Sequence, residues 1–155
     1  MKNNKGFSLV ELIIVIAIMA ILVGVMAPQL IKYIEKTNVS SDVQLCDTVR
    51  EAIQTAMMDP SVISATNNGI PSNATMASIS TISTGTAFGD AFYEILGAQN
   101  SAGVTSGLKS TGASGKVNDI QFAIVGANSV HVTIPGSDAS GKKGKGNNTV
   151  AIYVD

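Results

Sequence analysis

Across 155 residues the chain has one cysteine, Cys46, one histidine, His131, no tryptophan, and only 14% charged residues with a net charge of −1. Each scarcity excludes something. A single cysteine allows no intramolecular disulfide and no cysteine-rich metal site. A sparsely charged, near-neutral chain lacks the clustered basic surface on which electrostatic nucleic-acid binding depends. His131 falls between Ser129 and Thr133 on what reads as the polar face of a strand. Read as a lone exposed His without a plausible Ser or Cys partner, it forms no catalytic constellation. The length suits one domain, with about 125 residues left for a modest core if the first 30 or so serve elsewhere.

The chain's excess is apolar sequence at its start. In "GFSLVELIIVIAIMAILVGVMAP", residues 6–28, Glu11 is the only charge, and Leu12 to Ala27 is unbroken apolar residues and glycine. A carboxylate in hydrocarbon costs roughly 3 kcal/mol on insertion scales and usually marks function. Lys2 and Lys5 precede the run, a positive flank that stays in the cytoplasm and sends the rest of the chain outward. An ordinary secretory signal fits poorly, because "VMA" before Pro28 is a weak cleavage site and the run is long for a signal core. No cysteine directly follows the run, as a lipoprotein signal would require. A plain anchor is the second candidate, since Phe7 to Ala27 supplies 21 residues if Glu11 is tolerated near the interface, and about 20 span a bilayer.

The residues Lys5-Gly6-Phe7-Ser8-Leu9-Val10-Glu11, continued at once by the apolar run, resemble the class III signal of short-leader, type IVa-like type IV pilins and their pseudopilin relatives. The resemblance implies a leader of residues 1–6, cleaved between Gly6 and Phe7 by a prepilin peptidase that also N-methylates Phe7. It places Glu11 where the family carries the glutamate that pairs with the amine of a neighbouring subunit. Cleavage would also create an amine at the chain's own Phe7, about 6 Å of helical rise from Glu11. A mutual charge match of this kind fixes register between apolar helices that could otherwise slide.

Further along, Pro28 removes a helical donor and crowds the preceding turn, so the long helix is expected to kink there, with Gly24 weakening the same place. Family members often carry a glycine about two turns before this proline, where this chain has Ala20. Val39, Val43, Cys46, Val49, Ile53 and Ala56 then form one apolar helical stripe, with Asp42, Asp47, Arg50 and Glu51 largely off it. Cys46 reads as a packing residue of that stripe. Asp47 and Arg50 are an attractive helix pair. Pro60 sets the stop near Met58 or Asp59. Residues 60–86 read as a long surface connection. Phe88, Phe92, Ile95 and Leu96 predict a short helix near 87–97 that Gly97 ends. Strand alternation comes next at Ile120/Phe122/Ile124, Val130/Val132/Ile134 and Val150/Ile152/Val154, with "GAN" at 126–128 as a hairpin turn.

The expected class is therefore α+β: a long helix kinked at Pro28 whose later half packs on an antiparallel sheet of three or four strands. The expected divisions are leader 1–6, membrane and assembly helix 7–28, amphipathic helix 29–59 and head 60–155. "GSDASGKK" at 136–143 is no phosphate loop, because Lys143 stands where Ser or Thr is required and a strand comes next. Lys142, Lys143 and Lys145 read as a charged loop. Asn38, Asn73 and Asn147 head chance-level glycosylation patterns, and Asp138 with Asp155 supplies too few carboxylates for calcium. No catalytic residue, cofactor or metal site is expected.

The resemblance implies a filament subunit, the major pilin first, held as a single pass in the cytoplasmic membrane with its C-terminus outside. From there it would be assembled by a platform protein and an ATPase into a homo-oligomeric surface pilus. Members of the family serve adhesion, twitching motility and DNA uptake, and no residue selects DNA or a surface as partner. Many Gram-negative pilins close a C-terminal loop with a disulfide. This chain cannot, which fits a Gram-positive pilin. The alternatives are a pseudopilin of type II secretion or competence and a membrane-anchored exported binding domain.

Overall fold

The computed structural model describes residues 8–72, 75–109, 120–125 and 129–134, and the backbone of 152–154. By internal contacts the chain divides into two units, Met1–Lys36 and Thr37–Asp155. One helix, α1 (Leu9–Met58), contributes to both, and its helical assignment continues through Pro28. It ends at Met58, where the approach of Pro60 stops it.

In the second unit α1 buries Asp42, Cys46, Val49, Ala52, Ile53 and Ala56. From Cys46 on, the stripe is the expected one. Its start differs, because Val39 and Val43 are only half-buried and Asp42 is fully buried in their place. The reason is a polar partner far along the chain: the Lys109 backbone N–H donates to Asp42 Oδ1 at 2.8 Å. A buried carboxylate is tolerated when it is hydrogen-bonded. Asp47 and Arg50 face each other at 3.7 Å as the spacing predicts.

Residues 60–86 are not the bare connection expected of them. α2 (Pro60–Ser64) has proline at its start and Asp59 as N-cap, whose Oδ1 accepts the Ser61 N–H at 2.8 Å. β1 (Ala77–Ser78) leads into a 3₁₀ turn, Ile79–Thr81, capped by Ser78. Val62, Ile79 and Ile82 are buried in the core. α3 (Ala87–Leu96) lies where predicted, capped by Thr86 and closed by Gly97 in the left-handed conformation, φ 64°. Asn100 caps a further turn, α4 (Ser101–Thr105), which no periodicity announces.

β2 (Gln121–Val125), β3 (Ser129–Ile134) and β4 (Ile152–Val154) join β1 in one antiparallel sheet of order β1-β2-β3-β4. Its register sets Phe122 against Val132 and Val132 against Val154. The hairpin residues 126–128 lie outside the described residues. The core gathers Cys46, Val49 and Ile53 of α1, Phe88 and Phe92 of α3, and Ile120, Phe122, Val130, Val132 and Ile134 of the sheet and its approach. Phe88 and Phe92 stack with centroids 6.2 Å apart, and Tyr93 meets Phe92 edge-on at 5.0 Å. The buried Tyr93 hydroxyl donates to the Ile82 carbonyl at 2.9 Å, tying α3 to the segment before it. The α+β expectation holds: a long N-terminal helix with an antiparallel sheet.

Candidate functional site

Among its described residues the first unit has no buried side chain. Along α1 from Leu9 to Ile34, eighteen large apolar side chains are each at least half exposed. Fully burying such a side chain gains about 1.5–3 kcal/mol, so covering the remainder of this surface is worth on the order of 20 kcal/mol. A helix apolar on every side belongs in lipid or among other apolar helices. Among the described residues α1 is the one helix long and apolar enough to cross a membrane.

Glu11 occupies the first turn of that helix, and the Ser8 N–H donates to its Oε2 at 2.9 Å. Ser8-Leu9-Val10-Glu11 is thus half of a capping box: the carboxylate three residues into the helix reaches back to the capping backbone N–H. The Ser-x-x-Glu spacing ahead of an apolar run carries this signal, which a reading of Glu11 as an intermolecular partner alone overlooks. A carboxylate here also complements the positive end of the helix dipole. Gly6 and Phe7 lie outside the described residues.

Gly24 and Pro28 are one turn apart within α1. In a regular helix the N–H missing from Pro28 would have bonded the Gly24 carbonyl, so one residue opens the other's hydrogen bond. A methyl group built at Gly24 would meet nothing within 4 Å. Openness there belongs to the surface of the helix and not to packing within the chain.

The second unit offers little chemistry. Burial, and after it the nearby Asp42 and Asp47 carboxylates, pushes the Cys46 thiol up to about 12 and keeps it a packing group. A surface cleft between α1 and the α3–α4 turn is lined by Leu45, Thr48, Leu96, Asn100 and Val104 among others, with no titratable side chain. His131 is half-buried rather than exposed and lies 3.3 Å from Ser129 Oγ through Nε2. Among the described residues no three His, Cys, Asp or Glu side chains converge as metal ligands. Lys142, Lys143, Lys145, Asp138, Asp155, Asn73 and Asn147 lie outside the described residues, as does the 136–143 loop.

Comparison with known proteins points to the same end of the chain. Residues 1–27 match the family described as the prokaryotic N-terminal methylation motif. A type IV major fimbrial protein FimA of Dichelobacter nodosus is 41% identical over 56 residues, which is 36% of this chain and 36% of that protein. A fimbrial protein of Pseudomonas aeruginosa is 37% identical over 59 residues, 38% of each chain. The match therefore spans little more than a third of these relatives' length. No solved structure matches. The chain thus carries the N-terminal methylation motif and is similar over about a third of its length to type IV fimbrial proteins.

Proposed function

We propose that this chain is the major structural subunit of a type IV pilus and works by association rather than turnover. One observation carries the reading: an N-terminal helix whose apolar surface is open from Leu9 to Ile34, with a single carboxylate, Glu11, in its first turn. Before assembly the helix is a single-pass anchor in the cytoplasmic membrane with the C-terminal unit outside. A prepilin peptidase removes residues 1–6 and methylates the amine of Phe7. The platform and ATPase machinery then move the subunit into a helical filament, where apolar helices cover one another.

Glu11 has two successive partners in this scheme. Within its own chain it accepts the Ser8 N–H. In the filament its negative charge pairs with the amine of a neighbouring Phe7, which sets register by charge where side-chain shape does not. The test is the mass of the N-terminal peptide from protein recovered from cells. A chain beginning at methylated Phe7 supports the reading; an intact Met1, or a start at Pro28, overturns it.

A further inference from the structure

We propose that Lys32, Tyr33 and Lys36 form a phospholipid-headgroup anchor, so that the outer edge of the bilayer lies one turn beyond Pro28 and not at it. The inference rests on the reading of α1 as a membrane span before assembly and adds to it the depth, the residues and the lipid chemistry.

The ruler is the helix itself. Glu11 is the charge at the inner end, and Lys32 is the next charged residue along α1. The interval between them is about 32 Å of rise, against a hydrocarbon core about 30 Å thick. Placing the outer edge at Pro28 leaves only about 26 Å. It would also strand Leu30, Ile31 and Ile34, which are 61%, 68% and 53% exposed, outside the hydrocarbon. With the edge at Lys32 the first two are covered.

The residues at that level have the chemistry of a membrane interface. Tyr33 is 74% exposed, and Lys32 and Lys36 are exposed with it. Tyrosine prefers headgroup depth, with its ring toward the acyl chains and its hydroxyl toward water. Lys32 and Lys36 stand one turn apart, about 40° around the helix, and Tyr33 is about 60° from Lys36. Two ammonium groups on four-carbon stems can reach neighbouring lipid phosphates while their stems lie along the apolar surface. Glu35 shares this turn and offsets one of the two charges, leaving the turn with a net positive charge. The occupant that fits is therefore an anionic glycerophospholipid headgroup.

The chain has no tryptophan, so a single introduced indole reports depth without ambiguity. Ile21→Trp, Gln29→Trp and Tyr33→Trp are each reconstituted as the full chain in phosphatidylcholine vesicles carrying bromines at fixed acyl positions. The indole of Ile21→Trp is expected deepest. That of Gln29→Trp should lie within the hydrocarbon, about 6 Å inside that of Tyr33→Trp, which sits at headgroup level. In mixed vesicles, brominated phosphatidylglycerol should quench the Tyr33→Trp chain more strongly than brominated phosphatidylcholine at equal mole fraction. The preference is on the order of fivefold per lysine at most. Adding K32Q/K36Q to the Tyr33→Trp chain brings the ratio to about one, and adding E35Q raises it. An indole at headgroup depth in Gln29→Trp, or a phosphatidylglycerol preference unchanged by K32Q/K36Q, overturns the proposal. The N-terminal mass decides processing separately, so loss of either result leaves the other standing.

Discussion

Replacing Asp42 by alanine removes the acceptor that holds the Lys109 N–H from 67 residues away. Asp42 is fully buried, so water cannot replace the lost carboxylate freely. A hydrogen bond to a charged group contributes about 1.5–3 kcal/mol, and an orphaned donor adds to the loss. Removing the buried charge returns part of its desolvation cost. The net expected for Asp42→Ala is a destabilisation of about 2–3 kcal/mol, or about 10 °C in Tm for a unit of this size. Asp42→Asn keeps an oxygen acceptor and should cost about 1 kcal/mol. The assay is thermal unfolding of the full chain in detergent, monitored by tyrosine near-ultraviolet dichroism, since Tyr93 lies in the core. Hydrogen exchange at the Lys109 amide gives a local reading and should accelerate in Asp42→Ala. If Asp42→Ala melts within about 2 °C of the native chain, or Asp42→Asn is equally damaging, the latch argument fails.

Gly89→Ala would drive a methyl into the Ser83 carbonyl oxygen and should lower stability by about 2 kcal/mol or more. Gly24→Ala meets open space and should not, which melting of both variants will check. For Cys46 the folded state holds its proton more tightly than the unfolded chain, from an ordinary 9.0 to about 12. Its contribution is complete below pH 9 and declines as pH rises toward 12. Denaturant midpoints from about pH 7 to about 10.5 should fall more steeply for the native chain than for Cys46→Ala; parallel curves would contradict this. Glu11→Val should insert in the membrane and yield a Phe7-start chain, yet assemble poorly, and normal filament yield from that variant would remove the pairing role. A bulky residue at Gly6 should leave Lys2 and Lys5 attached and stop assembly; a Phe7-start chain from that variant would contradict the cut.

The parts of the fold legible in the sequence are those where one physical signal repeats. Cys46, Val49, Ile53 and Ala56 recur at helical spacing and are all buried, and alternation at Val130, Val132 and Ile134 marks β3. Gly97 is readable because a left-handed residue closes α3 in that way at little steric cost only when it is glycine. The illegible parts come in pieces too short to show a period. Val62, Ile79 and Ile82 enter the core from elements of two to five residues or from the turn beside them, and one apolar residue per element makes no pattern. Asp42 reads as a surface residue because its burial depends on a backbone group 67 residues away, which no local rule detects. At the candidate site the apolar run and Glu11 stand out at once. The Ser8–Glu11 hydrogen bond is local, yet the same carboxylate also suits a partner on another chain, and one residue's two roles are hard to separate by spacing.

The four short helical elements between residues 59 and 105 share a feature that bears on the order in which the chain folds. Each begins with a polar side chain that binds a backbone N–H two or three residues on: Asp59 to Ser61, Ser78 to Ser80, Thr86 to Gly89 and Asn100 to Gly103. These contacts close within a single turn, so each start site can be selected before any distant strand arrives. Helical turns form in about a microsecond or less, whereas non-local strand pairing waits on the closure of long loops. The β2–β3 hairpin is local too, with Val125 opposite Ser129. Slow events left for the second unit then include β1 finding β2, where Ala77 must meet Phe122, β4 joining β3, where Val154 must meet Val132, and the docking of Lys109 on Asp42. On the topology proposed above, with the C-terminal unit outside the membrane, a search reduced to a few late encounters would let that unit complete its structure without ATP-driven chaperones.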